Sequence, residues 1–168
     1  MGVSIDELFN VAGKVAVVTG GSRGIGRMIA EAYVENGVKT YITARKEEAC
    51  QRTADELSEK GECIALPVDL STSEGRAQFI SEMKAREKKL DILVNNAGIT
   101  KDGLLMRMKT DDWQKVLDLN LSGVFYCTRA VSRQMLKQKK GRIINITSVV
   151  GLMGNPGQAN YSAAKAGV

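Results

Sequence analysis

Residues 14–26 read KVAVVTGGSRGIG, and this stretch predicts the start of a parallel α/β sheet. Its first part, KVAVVT at 14–19, is a short apolar run rich in β-branched residues that ends in glycines, which is typical of a buried strand. A helix is predicted over 25–36, since apolar residues recur there at helical spacing and Gly37 can end the helix. These apolar residues are Ile25, Ile29, Ala32 and Tyr33.

The alternation of strand and helix continues along the rest of the chain. Further strands are predicted at 39–44, 62–68, 90–95 and 141–146, and further helices at 47–60, 73–88, 110–139 and 161–168. Ser73 and Thr110 are predicted N-caps of two of these helices. Strict alternation with short turns indicates a Rossmann-type doubly wound parallel sheet, with right-handed crossovers and helices on both faces. We therefore expect one domain over residues 1–168 with about five strands.

The composition excludes several classes of protein. With 43% apolar and 26% charged residues the chain is globular in type, and no apolar run approaches the roughly 18 residues that a membrane span needs. Met1 to Val11 lack the basic and apolar regions of a signal peptide, and the three cysteines show no zinc-type or CxxC spacing. We therefore expect no membrane association, no metal site, and a cytoplasmic protein with reduced thiols.

The charged and titratable residues narrow the chemistry further. The chain contains no histidine, so acid–base catalysis must use Tyr, Lys, Asp, Glu or Cys, and a Ser-His-Asp mechanism is excluded. The net charge of +5 is compatible with nucleic acid, a membrane surface or an acidic small ligand. The densest basic cluster, at 137–142, has no interleaved aromatic residues, which favours a solvated helix end over nucleic-acid binding.

The glycine-rich turn at 19–26 indicates a binding site for a pyrophosphate. Glycines allow the backbone to approach a phosphate closely, and the following helix offers unpaired N–H groups and its positive end. Such a turn alone is weak support, but here a strand precedes it and a helix follows it, as dinucleotide binding requires. We therefore expect a dinucleotide-binding domain.

The end of the second strand favours a phosphorylated dinucleotide. A site for NAD usually ends this strand with an acidic residue that binds the ribose 2′-hydroxyl. Here Arg45 and Lys46 follow the strand, and the first carboxylate is Glu47. Arg45, assisted by Arg23 in the glycine turn, can pair with a 2′-phosphate, so the predicted cofactor is NADP(H). After the third strand, Asp69 can accept a hydrogen bond from an adenine amino group or cap a helix, and both interpretations stay open.

Four motifs together resemble the short-chain dehydrogenase/reductase family. They are TGGSRGIG at 19–26, NNAG at 95–98, Ser148, and YSAAK at 161–165, in the order and spacing of the family from Gly13 to the last residue. Within the family, LDILVNNAGITKDGLLMRM at 90–108 and the stretch from 141 onward are similar to bacterial 3-oxoacyl-[acyl carrier protein] reductases. TARKEEACQRTADELSEKGEC at 43–63 instead resembles the related reductase of rhamnolipid synthesis.

The resemblance implies roles for the residues in these motifs. The implied catalytic residues are Ser148, Tyr161, Lys165 and Asn120. The cofactor-binding residues expected from the sequence and the resemblance together are Gly20, Ser22, Arg23, Gly24, Ile25, Gly26, Arg45, Asp69, Leu70, Asn95, Ala97, Gly98, Tyr161 and Lys165. The family implies a water-linked proton relay between Asn120 and Lys165. By residue type alone, a structural asparagine within a helix is at least as common.

The spacing of Tyr161 and Lys165 suits proton transfer. Reduction of a carbonyl needs a hydride, which a nicotinamide supplies, and a proton donor. A free tyrosine hydroxyl has a pKa of about 10, too high for easy proton exchange near neutral pH. A lysine four residues later on a helix lies on the same face, and its ammonium favours tyrosinate. Ser148, just past the fifth strand, can donate a hydrogen bond to the substrate oxygen.

The resemblance implies NADPH-dependent reduction of a ketone to a secondary alcohol, with a 3-oxoacyl thioester on acyl carrier protein, in fatty acid synthesis, as the expected substrate. The expected partners are that substrate, or a small molecule, and further copies of the chain in a homo-oligomer. Two alternatives stay open: a catalytically inactive NADP-binding fragment, sensor or scaffold of the same fold, and, less favoured, nucleic-acid binding. Because members of the family usually extend further, the domain is expected to be incomplete at its C-terminus, with the fifth strand an exposed edge.

A further set of residues suits an apolar acyl site, with ordinary packing as the alternative. The set is Leu104, Leu105, Met106, Met108, Leu152 and Met153. Asn155 and Gln158 are weaker candidates for contact with the substrate.

The replacement Arg45→Asp is expected to weaken the binding of NADPH by at least about tenfold more than the binding of NADH, because a carboxylate repels a 2′-phosphate but accepts a hydrogen bond from a 2′-hydroxyl. Fluorescence titration of both cofactors measures the two dissociation constants. An equal loss for both would contradict the assigned role of Arg45.

Overall fold

Five parallel strands form one sheet at the centre of the fold, in the spatial order β3-β2-β1-β4-β5. The structure is a computed structural model and describes residues 8–168, so most of the segment inspected for a signal peptide lies outside the described residues. The strands are β1 Val15–Thr19, β2 Lys39–Ala44, β3 Cys63–Pro67, β4 Ile92–Asn95 and β5 Arg142–Asn145. The order reverses between β1 and β4, and such a switch point opens a crevice at the carboxyl ends of the strands. The predicted doubly wound sheet is confirmed.

Helices cover both faces of the sheet. They are α1 Gly24–Glu35, α2 Glu47–Ser58, α3 Ser73–Arg86, α4 Thr110–Leu117, α5 Gly123–Gln138, α6 Val150–Met153 and α7 Ala159–Gly167. A π-helical turn, Asp118–Ser122, joins α4 to α5, so the helix predicted over 110–139 contains one wider turn. The sequence prediction lacks α6 and the 3₁₀ helix Leu105–Arg107, because both are too short for a periodic pattern. Within residues 8–168, the structure has no helix that is both long and apolar enough to span a bilayer.

Side chains alternate between the two faces of the sheet, so each strand contributes to two cores. Val17 of β1 belongs to a buried cluster with residues of α3 and α5. Val18, the next residue, belongs to a second buried cluster with residues of α1 and α2. The largest fully buried side chains include Tyr41, Phe79, Ile42, Leu57, Leu66, Leu90 and Leu93. Helices therefore pack against both faces of the sheet, and this packing holds the carboxyl ends of its strands in place.

The apolar residues predicted on one side of α1 are buried to different extents, since Ile29 and Tyr33 pack partly buried against the second cluster and the other two do not. The buried residues of this helix are Gly26, Ala30 and Val34, whereas Ile25 is 61% exposed and Ala32 is also exposed. The rotation of α1 is set where Gly26 packs on the turn that precedes the helix, since a Cβ there would overlap the backbone of that turn. Close backbone contact therefore outweighs the burial of larger apolar side chains on this helix.

Two predicted helix caps were wrong by one residue. The N-cap of α3 is Thr72, whose backbone is extended and whose Oγ1 accepts a hydrogen bond from the N–H of Gly75 at 3.0 Å. The Ser73 hydroxyl instead donates to the neighbouring side chain. In α4 the N-cap position is Lys109, with no side-chain cap bond, and Thr110 is the first helical residue. An N-cap needs a non-helical backbone, and both predicted residues are already helical.

The strand β5 lies at one edge of the sheet, where it pairs with β4. All four of its residues are exposed, and the side chains of Ile143 and Ile144 are 37% and 40% exposed. Among residues 8–168, β5 therefore pairs with a strand on one side only.

The replacement Thr72→Ala is expected to lower the free energy of unfolding by about 1 kcal/mol, because it removes the cap of α3. The matched control Ser73→Ala is expected to change it by less than about 0.5 kcal/mol. Urea denaturation of both variants measures the difference. A larger loss in Ser73→Ala than in Thr72→Ala would contradict the assigned cap.

Candidate active site

A cleft of about 560 Å³ opens at the carboxyl ends of β1, β2 and β4. The predicted cofactor-binding residues that line it are Gly20, Ser22, Arg23, Gly24, Ile25, Gly26, Arg45, Leu70, Ala97 and Gly98. The residues that line it without having been predicted are Thr43, Ala44, Lys46, Ala49, Arg52, Val68, Asn96, Ile99 and Leu119. Ten of the fourteen predicted cofactor-binding residues therefore come from four separate segments to one cleft, whereas Asp69, Asn95, Tyr161 and Lys165 are not among the residues that line it.

The glycine turn brings the N-terminus of α1 to the cleft, while the N–H groups of Gly20 and Gly21 donate to Thr43. Gly20 has a φ of +68°, which glycine adopts without strain. A Cβ on Gly26 would overlap the carbonyl oxygen of Gly20 and lie 2.5 Å from Asn96 Nδ2. Arg23, the N-cap of α1, makes no side-chain cap bond, so no side chain from that position occupies the first N–H groups of the helix. These N–H groups and the positive helix end can bind a phosphate.

The turns after β1 and β4 are joined by Thr19 and Asn96. The Thr19 hydroxyl donates to Val94 O at 3.1 Å and accepts from the N–H groups of Asn96 and Ala97 at 2.9 and 3.0 Å. The Asn96 side chain donates to Thr19 O at 2.9 Å. Neither Thr19 nor Asn96 is predicted from the sequence to have a role of its own, although their positions directly at the ends of β1 and β4 are a signal. These bonds fix two walls of the cleft relative to each other.

One end of the cleft is positively charged. Arg23, Arg45 and Lys46 line it and are exposed. No acidic residue is among the described residues that line the cleft. This end therefore attracts an anionic group such as a phosphate.

Two predicted cofactor-binding residues make internal hydrogen bonds beside the cleft. Asp69 Oδ1 accepts from the N–H and the hydroxyl of Ser71, at 2.9 and 2.6 Å, so this carboxylate closes the turn before α3 and does not cap the helix itself. Asn95 is buried and donates to Asn145 Oδ1 at 2.8 Å and to Thr128 Oγ1 at 3.2 Å. The Asn95 side chain thus joins β4 to β5 and α5. The cofactor roles of Asp69 and Asn95 stay predictions.

Tyr161 and Lys165 lie on one face of α7. Lys165 Nζ is 5.7 Å from the centroid of the Tyr161 ring and donates to the carbonyl oxygen of Ile146 at 2.7 Å. Lys165 is only 5% exposed, and this burial lowers the pKa of its ammonium. Because Ile146 directly follows β5, the ammonium lies at the carboxyl edge of the sheet, the edge at which the cleft opens.

Ser148 belongs to the same edge of the sheet. Its hydroxyl oxygen accepts a hydrogen bond from the N–H of Val150, the first residue of α6, at 3.3 Å. The neighbouring Thr147 hydroxyl donates to Lys165 O at 2.8 Å. The segment after β5 is therefore tied to α7, which keeps Ser148 and the Tyr161–Lys165 pair on one structural unit.

Asn120 is fully buried within the π-helical turn. Its Nδ2 donates to Ile99 O at 2.9 Å and to Val116 O at 2.8 Å, while its Oδ1 accepts from Ile99 N at 3.2 Å. A Cβ on Gly98 would overlap this Oδ1 atom. The side chain therefore anchors the loop after β4 to the π turn, which is a positioning role. The relay that the resemblance implies stays a prediction.

An apolar surface lies beside α7 and the end of the loop that follows β4. Gly103 N donates to Gly157 O at 2.8 Å, and Gln158 Nε2 donates to the Asp102 carboxylate at 3.1 Å. The side chains of the predicted acyl site that are exposed, with their exposed fractions, are Leu104 57%, Leu105 71%, Met106 87%, Leu152 90% and Met153 81%. In the described residues these side chains are therefore not core residues, and Met108 is partly buried.

Comparison with known proteins adds sequence relatives. The model of the short chain dehydrogenase family matches residues 14–168. The chain is 54% identical over 157 residues to the 3-oxoacyl-[acyl-carrier-protein] reductase of Synechocystis sp., which covers 92% of this chain and 64% of the relative. It is 50% identical over 160 residues to the corresponding reductase FabG of Escherichia coli, which covers 95% of this chain and 64% of the relative. The chain thus spans slightly less than two thirds of the length of these relatives.

Solved structures with the same fold include cofactor complexes. The chain is similar to the Pseudomonas aeruginosa RhlG/NADP active-site complex, with a TM-score of 0.88 and 40% identity over 95% of this chain and 64% of that chain. It is also similar to a metagenomic short-chain oxidoreductase in complex with NADP, with a TM-score of 0.89 and 37% identity over 94% of this chain and 72% of that chain.

The buried ammonium of Lys165 is expected to give the free energy of unfolding a pH dependence. Burial lowers the pKa of Lys165 below its ordinary 10.5, so between that lowered value and 10.5 the unfolded chain binds more protons than the folded chain. The free energy of unfolding therefore rises with pH across this window, and the cost of the buried charge is complete below it. Chemical denaturation at a series of alkaline pH values measures the slope.

Lys165→Met is expected to remove this contribution to the slope, whereas Lys137→Met, at an exposed position of α5, is expected to keep it. Identical slopes in these two variants would contradict the assignment to Lys165.

Proposed function

The chain belongs to the short-chain dehydrogenase family, and on that premise we propose that it binds NADP(H) and reduces a ketone to a secondary alcohol. The observation that carries the proposal is the hydrogen bond from Lys165 Nζ to Ile146 O, at 2.7 Å. Since Ile146 follows β5 in a parallel sheet, this bond holds the Tyr161–Lys165 pair at the edge where the cleft opens. Residues 1–168 act in this proposal as one dinucleotide-binding domain.

The cleft fits a phosphorylated dinucleotide in shape and charge. The backbone of the glycine turn and the N-terminus of α1 bind the pyrophosphate, which can approach closely because Gly20 and Gly26 carry no side chain. Arg45 and Arg23 bind the 2′-phosphate at the positively charged end. The two similar structures whose printed titles include NADP support this choice of cofactor.

The remaining predicted contacts complete the binding site. Leu70 contacts the adenine from the wall after β3, and the Asp69 oxygens not used by Ser71 can accept from its amino group. Ala97 and Gly98 line the part of the cleft that binds the nicotinamide half of the cofactor. Asn95 stabilises their loop through its hydrogen bond to Asn145 of β5.

The proposed chemistry uses three side chains at the carboxyl edge of the sheet. When bound, the nicotinamide supplies a hydride to the carbonyl carbon. The Tyr161 hydroxyl gives its proton to the carbonyl oxygen, and the nearby Lys165 ammonium stabilises the tyrosinate that remains. The Ser148 hydroxyl donates a hydrogen bond to the same oxygen and stabilises the charge that develops there. Asn120 keeps the loop at 97–99 in place and serves the relay to Lys165 that the resemblance implies.

We further propose a 3-oxoacyl thioester of acyl carrier protein as the substrate, in fatty acid synthesis. The names of the relatives support this choice, as does the apolar surface of exposed leucine and methionine side chains beside α7, which suits an acyl chain. A homo-oligomer in the cytoplasm is proposed as the working state. The exposed side chains of Phe125 and Leu136 on α5, at 56% and 76%, support self-association.

Oxidation of NADPH, followed by its absorbance against acetoacetyl thioesters and simple ketones, tests the proposal. Tyr161→Phe is expected to lower turnover by about 10²- to 10⁴-fold, because it removes the proton donor, and to leave the dissociation constant of NADPH within about twofold. Tyr33→Phe on α1, a position that does not line the cleft, is the matched control and is expected to retain turnover.

Three results would contradict parts of this proposal. Turnover that survives Tyr161→Phe excludes this residue as the proton donor. Binding of NADPH without turnover of any carbonyl substrate favours the alternative of a cofactor-binding sensor or scaffold. A preference for NADH over NADPH excludes the proposal that the positively charged end of the cleft binds the 2′-phosphate.

A further inference from the structure

We propose that Arg52 of α2 is a third arginine that binds the 2′-phosphate and so contributes to the choice of NADPH over NADH. This inference rests on the proposed function, since it assumes that the cleft binds a dinucleotide. It adds a specificity-determining residue from the second turn of a helix, outside the glycine turn and outside the end of β2.

Arg52 lies at the positively charged end of the cleft. It lines the cleft together with Arg23, Arg45 and Lys46. Ala49, three residues earlier on α2, also lines the cleft, so one face of this helix is turned towards it. The side chain of Arg52 is exposed and long enough to bring its guanidinium to the mouth of the cleft.

A buried threonine fixes this face of α2 against the glycine turn. The Thr53 hydroxyl donates to Ser22 O at 3.1 Å and to Ala49 O at 2.9 Å, and Thr53 is only 2% exposed. The backbone that carries Arg52 is therefore bonded, one residue away, to the turn proposed to hold the pyrophosphate. The position of the backbone that carries Arg52 relative to this turn is thus set by the scaffold.

Arg52 borders both the cleft and a second, acidic groove, which is lined by Glu47, Glu48, Asp55, Glu56 and Glu59, but within the described part of the chain it forms no ion pair there. Among residues 8–168, no carboxylate oxygen lies within 4.0 Å of its guanidinium. Glu56, four residues later on α2, pairs instead with Arg27 of α1 at 2.9 Å. Glu48, four residues earlier, is exposed and unpaired within the same part of the chain. A dianionic phosphate in the cleft presents a denser negative charge than this solvated carboxylate, and arginine forms bidentate bonds with it.

The dissociation constants of NADPH and NADH, measured by calorimetric titration for the unmodified chain and for Arg52→Ala, test the inference. The replacement is expected to weaken NADPH by about fivefold and to leave NADH within about twofold, since a charge-assisted bond to the 2′-phosphate is lost. Arg52→Lys, which keeps the charge without the bidentate fork, is expected to lose less than Arg52→Ala. Arg133→Ala, at an exposed position of α5, is the control and is expected to change neither constant.

The outcomes separate this inference from the proposed function. If the unmodified chain prefers NADPH and Arg52→Ala leaves both constants unchanged, or weakens both equally, the role of Arg52 is excluded and the proposed function stands. If the unmodified chain binds neither cofactor, or binds NADH better, the proposed function fails and this inference fails with it. A thermal unfolding midpoint without cofactor confirms that Arg52→Ala is folded.

Discussion

The contact between the turn after β1 and the turn after β4 is the constraint on which the candidate site depends. It requires two residues without side chains, Gly20 and Gly26, and two polar residues, Thr19 and Asn96, whose hydrogen bonds replace those that water would otherwise supply. The same contact sets the rotation of α1, and thereby which of its residues are buried. Cofactor binding in this fold is therefore prepared by backbone packing, before any charged side chain takes part.

Electrostatics then divide the site into two regions with different requirements. The positively charged end of the cleft is open to solvent, and its arginine and lysine side chains are exposed. Their charges are therefore screened by solvent and act mainly on a bound anion. The Lys165 ammonium, in contrast, is buried and held by the Ile146 carbonyl oxygen, so its charge acts on Tyr161 at short range with little screening. In the proposed function, the recognition of the cofactor and the transfer of a proton would thus take place in different dielectric surroundings, although the carboxyl ends of the same strands support both.

The sequence predicted the alternation of elements and most of the cleft, because short apolar runs and glycine turns are local patterns. The prediction from sequence failed for features that depend on packing between parts of the fold. The caps of α3 and α4 depend on which residue first becomes helical, and Thr72 and Ser73 differ too little in type for the sequence to distinguish them. Arg52 is likewise one of several charged residues on a polar helix, and only the fold reveals that its face meets the cleft. The hydrogen bonds of Asn95 were also beyond reach, because its partners on β5 and α5 are far away in the sequence. The bond between Asp69 and Ser71 is local, and the prediction did not use that signal.

The π-helical turn at 118–122 restricts the number of residues that the chain can have between α4 and α5. Because the π turn contains one residue more than a turn of α-helix, every later side chain is rotated about the helix axis by roughly 100° relative to an unbroken helix. After the turn, the buried positions of α5 are Gly123, Cys127, Val131 and Met135. Removing a residue from the turn would restore regular geometry and expose these residues to solvent, and it would also withdraw Asn120 from the loop at 97–99. The segment between α4 and α5 therefore has a fixed count of residues, and insertions or deletions in this chain should be confined to other connections.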